Sequence, residues 1–277
     1  MENFLGLMLA PLAACLVLAG IHAYLGLHVV KRGVIFVDLA LAQLAAFGTT
    51  LGFLFGWGLH STQGYILALS FTLVGAGIFA LTRFRRQKVP QEALIGIVYA
   101  VAAAASVLVL SRAPDGGEEL KSLMVGHLLF VSWKEVLTIA GIYSVLGLLH
   151  WVFRKPLLLI SRDPEIAFSK GMHVRAWDFF FYATFGAIVT SSTELAGVLL
   201  VFSFLVVPAV CGVLLANSDA GRLAVGWISS VLTCLAGILA SYYMDLPTGA
   251  AIVCMFGVTL LICAGVARIF GPREVLR

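Results

Sequence analysis

The sequence predicts an all-α polytopic integral membrane protein with about nine transmembrane helices. Three observations predict it. The 277-residue chain is 61% hydrophobic. Only 12% of its residues are charged, against roughly 25% in soluble domains. Its apolar residues fall in long continuous runs instead of alternating. This balance excludes an ordinary soluble enzyme, a disordered chain and a nucleic-acid-binding domain. The formal net charge of +4 is too small for a phosphate-binding surface. Continuous runs also exclude a β-barrel, whose strands alternate.

A span takes about 20 mostly apolar residues. Nine stretches qualify: 5–29, 34–56, 64–82, 91–111, 133–153, 176–192, 195–216, 222–243 and 247–268. The breaks include Lys31-Arg32-Gly33 and Arg83-Phe84-Arg85-Arg86-Gln87-Lys88, and the longest are 112–122 and 154–175. No stretch reads as a separate soluble domain, so residues 1–277 read as one membrane domain. Met1-Glu2-Asn3 is acidic, and the run from Leu5 to about Val30 is long enough to span. A cleavable signal peptide is therefore not expected. With the N-terminus outside and nine crossings, 15 of the 18 basic residues fall inside; only Arg112, Lys121 and Lys134 fall outside. The positive-inside rule thus favours an N-out, C-in topology. Eight spans are possible if one run is re-entrant or merged with its neighbour, and 192–195 is the weakest boundary.

The five cysteines, Cys15, Cys211, Cys234, Cys254 and Cys263, lie in apolar runs with no CxxC pair. They read as small buried residues, not as a disulfide framework or a structural zinc site. Gly48, Gly52 and Gly56 repeat every four residues and share one helical stripe. Small residues allow close helix approach in lipid, so the stripe reads as internal packing or as a contact between two copies. Pro208 interrupts the seventh run, where a kink is expected.

Polar residues within spans are costly in hydrocarbon and mark candidate sites. Asp38 lies about one turn into the second run, and Gln43 about 14 Å in at 1.5 Å per residue. Five residues at about 100° each leave them about 140° apart, on different faces. Asp38 reads either as charge compensation at a helix N-terminus beside Lys31 and Arg32 or as a cation contact in a pore. His22 lies seven residues after Cys15 on the same face of the first run. It reads as a transient metal contact or as a hydrogen-bonded interior histidine. Glu194, in Ser191-Ser192-Thr193-Glu194, is placed at an outer turn, either solvated or as a ligand. Asp245 and the loop Asp115-Gly116-Gly117-Glu118-Glu119 read in the same way.

The segment 154–175 differs in kind. Asp163 suits an N-cap, Pro164 the first helical position and Glu165 the positive helix end. Ala167 and Phe168 fill a short helix that Gly171 stops. Ile166, Ala167 and Met172 are available to pack, either on a soluble partner or on the membrane surface.

In this order and over nearly the whole chain, these motifs resemble the membrane permease subunit of the zinc/manganese-type ABC importers of bacteria. The residues that carry the resemblance are Lys31-Arg32 with Asp38 to Gly48, Glu92 to Ile97, and Val125-Gly126-His127-Leu128-Leu129. They continue with Asp163-Pro164-Glu165-x-Ala167-x3-Gly171, Ala196-Gly197 through Pro208-Ala209, and Asp245 to Gly249. The resemblance implies a homodimer of permeases in the bacterial inner membrane, paired with two cytoplasmic ABC ATPases that hydrolyse ATP. An extracytoplasmic binding protein would deliver a divalent transition metal, zinc, manganese or iron. The permease itself would hydrolyse nothing. The helix around 162–172 would dock on the ATPase through Asp163, Pro164, Glu165, Ala167 and Gly171. The metal would pass Asp38, Gln43, His22 and Glu194. One departure stands out. Gln43 occupies the family's histidine position, and Leu39 the position of its carboxylate. A neutral amide oxygen is a harder, weaker ligand than imidazole, which suits manganese or iron better than zinc. The alternatives are a permease for a metal chelate, of siderophore or cobalamin type, and an ATP-independent ion-coupled carrier. No HExxH, GxSxG or paired intramembrane carboxylate motif points to hydrolase chemistry.

Overall fold

A computed structural model of the chain describes residues 2–57, 61–83, 89–112 and 126–270. Its described residues are mostly helical, with no strand among them. Among the described residues, nine helices of at least 18 residues answer to the nine apolar runs. In chain order they are α1 (Glu2–Arg32), α2 (Val37–Leu54), α3 (Thr62–Leu81), α4 (Gln91–Leu110), α5 (Trp133–Val152), α8 (Val174–Ala196), α9 (Val198–Leu215), α10 (Asp219–Met244) and α11 (Thr248–Phe270). Between α5 and α8 lie two short helices, α6 (Arg154–Arg162) and α7 (Pro164–Ser169). A 3-10 turn covers Leu128–Phe130. Eight of the long helices are apolar enough to cross a membrane. The ninth, α8, has the length but carries Arg175, Asp178 and a Ser-Ser-Thr-Glu stretch.

Local chemistry sets the ends of these helices. Gly33, at φ 65°, stops α1. Ser61 caps α3 by accepting the Gly64 N–H at 3.1 Å, and Ser218 caps α10 through Gly221 in the same way. The junction between the sixth and seventh runs is tighter than the expected break at 192–195. Helix α8 continues through Ser191, Ser192, Thr193 and Glu194, and Gly197, at φ 77°, alone turns the chain into α9. The hydroxyls make this possible. Ser191 bonds to the Ala187 carbonyl at 3.0 Å, Ser192 to Ile188 at 2.6 Å and Thr193 to Val189 at 2.9 Å. Each side chain is satisfied one turn back, so a polar run stays helical.

The chain divides into two compact units, 1–30 with 125–143 and 195–277, and 31–124 with 144–194. In the first, α9, α10 and α11 pack on one another. Phe204 of α9 meets Phe256 of α11 edge to face at 5.1 Å. The Trp227 indole of α10 donates to the Gly20 carbonyl of α1 at 2.9 Å. Gly26 of α1 lies against the Leu205 carbonyl of α9, where no side chain fits. Helix α9 runs unbroken through Pro208. A Cβ on Gly226 of α10 would stand 3.2 Å from the Pro208 carbonyl oxygen.

In the second unit, α2 packs on α3 and α4. A Cβ on Gly48 would stand 2.7 Å from Ala68 Cα, and one on Gly52 would stand 3.4 Å from Gly64 Cα. Gly48 and Gly52 therefore serve packing inside the chain; Gly56, at φ 78°, belongs to the turn after α2. Outward faces stay apolar. Ile97, Val101 and Leu108 of α4, Leu137 and Trp151 of α5, and Leu261 and Ile269 of α11 are all exposed. Water would penalise such a surface and lipid would not. The protein is a multi-pass membrane protein.

Four of the five cysteines are buried and none forms a disulfide; Cys254 is exposed, unlike the others.

Candidate functional site

The candidate residues along the spans lie on different helices, except Asp38 and Gln43, which share α2. Among the described residues, no three His, Cys, Asp or Glu side chains gather in a way that could hold a metal. His22 is fully buried, and its Nδ1–H donates to the Leu18 carbonyl at 2.8 Å, one turn back in α1. Its ring lies edge-on to Tyr143 at 6.2 Å. This is the arrangement of a hydrogen-bonded interior histidine. Cys15 does not join it; its thiol meets that of Cys234.

Asp38 sits in the first turn of α2, 2% exposed. Its Oδ1 has no hydrogen-bond partner among the described residues. The first-turn position suits compensation of the positive helix end, while the Arg32 guanidinium is held by Asp178. The Glu92 carboxylate of α4 repels that of Asp38 electrostatically. Glu92 Oε1 accepts the Phe36 N–H at 3.0 Å and ties the start of α2 to α4. Gln43 is buried farther along α2. Glu194 is helical instead of sitting in a turn, half-buried in the last turn of α8, with Tyr65 of α3 nearby. Asp245 is the left-handed C-cap of α10, at φ 52°. Ser241 closes the loop after it by bonding to the Leu246 carbonyl and the Thr248 hydroxyl, each at 2.8 Å. The acidic run 115–119 lies outside the described residues.

The segment 154–171 is built closely to the sequence pattern. Asp163 Oδ1 accepts the Ile166 N–H at 3.0 Å, and Pro164 follows at the first helical position. Gly171, at φ 71°, closes α7, with Met172 N–H donating to the Ala167 carbonyl at 3.1 Å. Two features were not read from the sequence. Residues 154–162 form a separate helix, α6, which buries Leu157, Ile160 and Ser161. Ala167 faces inward: it is fully buried with Ile160 and Val174, against Leu159, Phe168, Met172 and Trp177. The surface left outward is Glu165, Ile166, Ser169, Lys170 and Gly171. Ile166 is 43% exposed.

Sequence reasoning also missed a buried ionic cluster beside this segment. Asp178, in the second turn of α8, accepts Arg32 Nη1 at 2.5 Å. Its Oδ2 lies 3.5 Å from Arg83 Nε. Arg83 donates to Gln91 Oε1 at 2.9 Å, and Gln91 Nε2 reaches the Phe79 carbonyl and the Tyr182 hydroxyl. Arg32 Nε donates to Ser161 of α6 at 2.9 Å, and its guanidinium stacks 4.0 Å over Phe181. An aspartate inside an apolar run was the available signal.

Comparison with known proteins follows the same outline. The family model described as ABC 3 transport family matches residues 5–267. The chain is 28% identical to the manganese transport system membrane protein MntB of Synechocystis, over 90% of this chain and 75% of that one. It is 26% identical to the chelated iron transport system membrane protein YfeD of Yersinia pestis, over 89% and 80%. Among solved structures, it superposes on a chain of PsaBC from Streptococcus pneumoniae in complex with Fab. The TM-score is 0.77 at 21% identity, covering 95% of this chain and 94% of that one. That likeness establishes the fold.

Proposed function

This chain belongs to the ABC 3 transport family, and from that premise we propose that it is the permease subunit of an ATP-driven importer of a divalent transition metal. The observation that carries the reading is the match over residues 5–267, which includes the capped and terminated 163–171 segment. In this reading two copies form a homodimeric pore in the inner membrane, with N-termini outside and C-termini inside. A cytoplasmic ABC ATPase takes the face of Glu165, Ile166, Ser169 and Lys170, and an extracytoplasmic binding protein delivers the metal. ATP hydrolysis belongs to the ATPase.

Manganese and iron fit the residues better than zinc. Asp38 and Gln43 offer oxygen ligands, which suit harder cations. His22 already spends one ring nitrogen on its own helix. The names of relatives, manganese and chelated iron transport proteins, support the same range. The metal is cargo, so the path needs transient contacts and not a closed cage.

The test is reconstitution with the partner ATPase and the binding protein in liposomes, with zinc, manganese and iron offered separately. ATP-dependent uptake of manganese or iron ions is the expected result. A stable ATPase complex that moves only chelated iron would shift the cargo to a chelate. No ATPase complex would favour an ATP-independent carrier.

A further inference from the structure

We propose that the buried Arg32–Asp178–Arg83 cluster is a positioning device that locks the ATPase-facing segment to the ends of the spans, so that its integrity sets how much transport each ATP drives. The inference rests on the importer reading above. Its first support is connectivity. Asp178 belongs to α8, Arg32 ends α1, Arg83 follows α3, Gln91 begins α4 and Ser161 belongs to α6. Five helices meet at one polar knot. Ser161 precedes the Asp163 cap by two residues, and Asp178 follows Gly171 by seven. The knot therefore brackets the segment that faces the ATPase.

The second support is energetic. Two guanidiniums share one carboxylate, and the side chains of Arg32 and Asp178 are fully buried. Arg32 Nη2 has no hydrogen-bond partner among the described residues. Buried ion clusters pay heavily in desolvation, and apolar replacements of equal volume often match or exceed their stability. A charge-unbalanced, incompletely satisfied cluster is a poor way to gain stability. It is a good way to fix geometry, because guanidinium bonds are directional. Arg32 works as a two-pronged clamp: Nε holds α6 and Nη1 holds α8, over the Phe181 ring. A push on α7 reaches α8 through these prongs. Without them α6 slips against α8, and the motion is spent before it reaches the spans.

Three variants test this in proteoliposomes containing the partner ATPase. Ser161→Ala removes one prong and leaves the ion pair. Arg32→Lys keeps the charge and loses the fork. Asp178→Asn keeps the shape and loses the charge. Thermal unfolding, ATP hydrolysis and manganese uptake are measured on each. The expected result is assembly with the ATPase and hydrolysis within about twofold of wild type, because Ser161→Ala removes the hydrogen bond from Arg32 Nε and leaves the Arg32–Asp178 ion pair in place. Uptake per ATP falls about tenfold in Arg32→Lys and about threefold in Ser161→Ala, the range of modest coupling energies. If hydrolysis and uptake fall in parallel with the amount of folded protein, the cluster is merely structural and the inference is overturned. Unchanged uptake per ATP overturns it as well. If Asp178→Asn does not fold, the other two decide. A wild type that neither binds the ATPase nor imports metal overturns the importer reading, and this inference with it. That outcome is distinct from a coupled wild type whose variants behave identically.

Discussion

Two polar regions of the molecule contrast sharply. Along the spans, His22, Asp38 and Gln43 are buried, and no three His, Cys, Asp or Glu side chains gather among the described residues in a way that could hold a metal. At the ends of α1, α3, α4, α6 and α8, the polar side chains are interlocked through Asp178. The proposed reading gives the two regions different tasks. A transported cation must bind weakly enough to leave, so isolated oxygen atoms with spare valence suit its path. Force transmission needs groups that cannot move independently, which suits a cluster whose arginines and aspartate bond to several helices. Asp38 and Asp178 are the test pair: both are buried and each has one oxygen without a hydrogen-bond partner among the described residues, but only Asp178 is ion-paired, with Arg32 and Arg83.

The largest effect is expected at Asp178. Asp178→Leu leaves two buried guanidiniums unpaired and should cost about 3–5 kcal/mol, read as a lower unfolding temperature and a loss of folded protein in detergent. Next comes Gly48→Leu, because the Ala68 and Leu67 backbone that would meet the new side chain cannot yield. Overpacking there should cost roughly 1–3 kcal/mol and loosen α2 from α3, measurable by thermal unfolding. Asp38→Asn sharpens the contrast. No charged partner is abandoned, so stability should change by no more than about 1 kcal/mol while metal uptake falls. If Asp38→Asn destabilised the protein as much as Asp178→Leu, the two regions would not differ in kind. The smallest stability effect is expected at Ile166, which is exposed on α7. Ile166→Asp should change stability by less than about 0.5 kcal/mol but abolish co-purification of the ATPase. Ala167→Asp is a poorer probe of docking, because Ala167 is buried and the substitution would break the packing of α7 itself.

The helices and their breaks were legible because their causes are local. Each apolar run became a helix. Gly33 and Gly171 ended helices where expected, and Asp163 with Pro164 began one. The Ser191–Glu194 stretch misled because hydroxyls bonded to the preceding turn remove the cost of polar residues, and composition alone does not show that bonding. Ala167 was assigned to the partner-facing side, but a six-residue helix is too short for periodicity to orient it. The Arg32–Asp178 pair spans 146 residues of sequence. Nothing local encodes such a pairing; the trace it left was one aspartate inside an apolar run. The candidate path residues were found as polar residues in spans, but the partners each one takes, such as the Leu18 carbonyl for His22, became visible only in three dimensions.

The most direct test of this account follows manganese uptake in one proteoliposome preparation with the ATPase and the binding protein, wild type against Ile166→Asp. The account predicts ATP-dependent accumulation by wild type. It predicts a folded Ile166→Asp protein that neither retains the ATPase nor imports the ion. Uptake without ATP, or equal uptake by Ile166→Asp, would contradict an importer coupled through this segment.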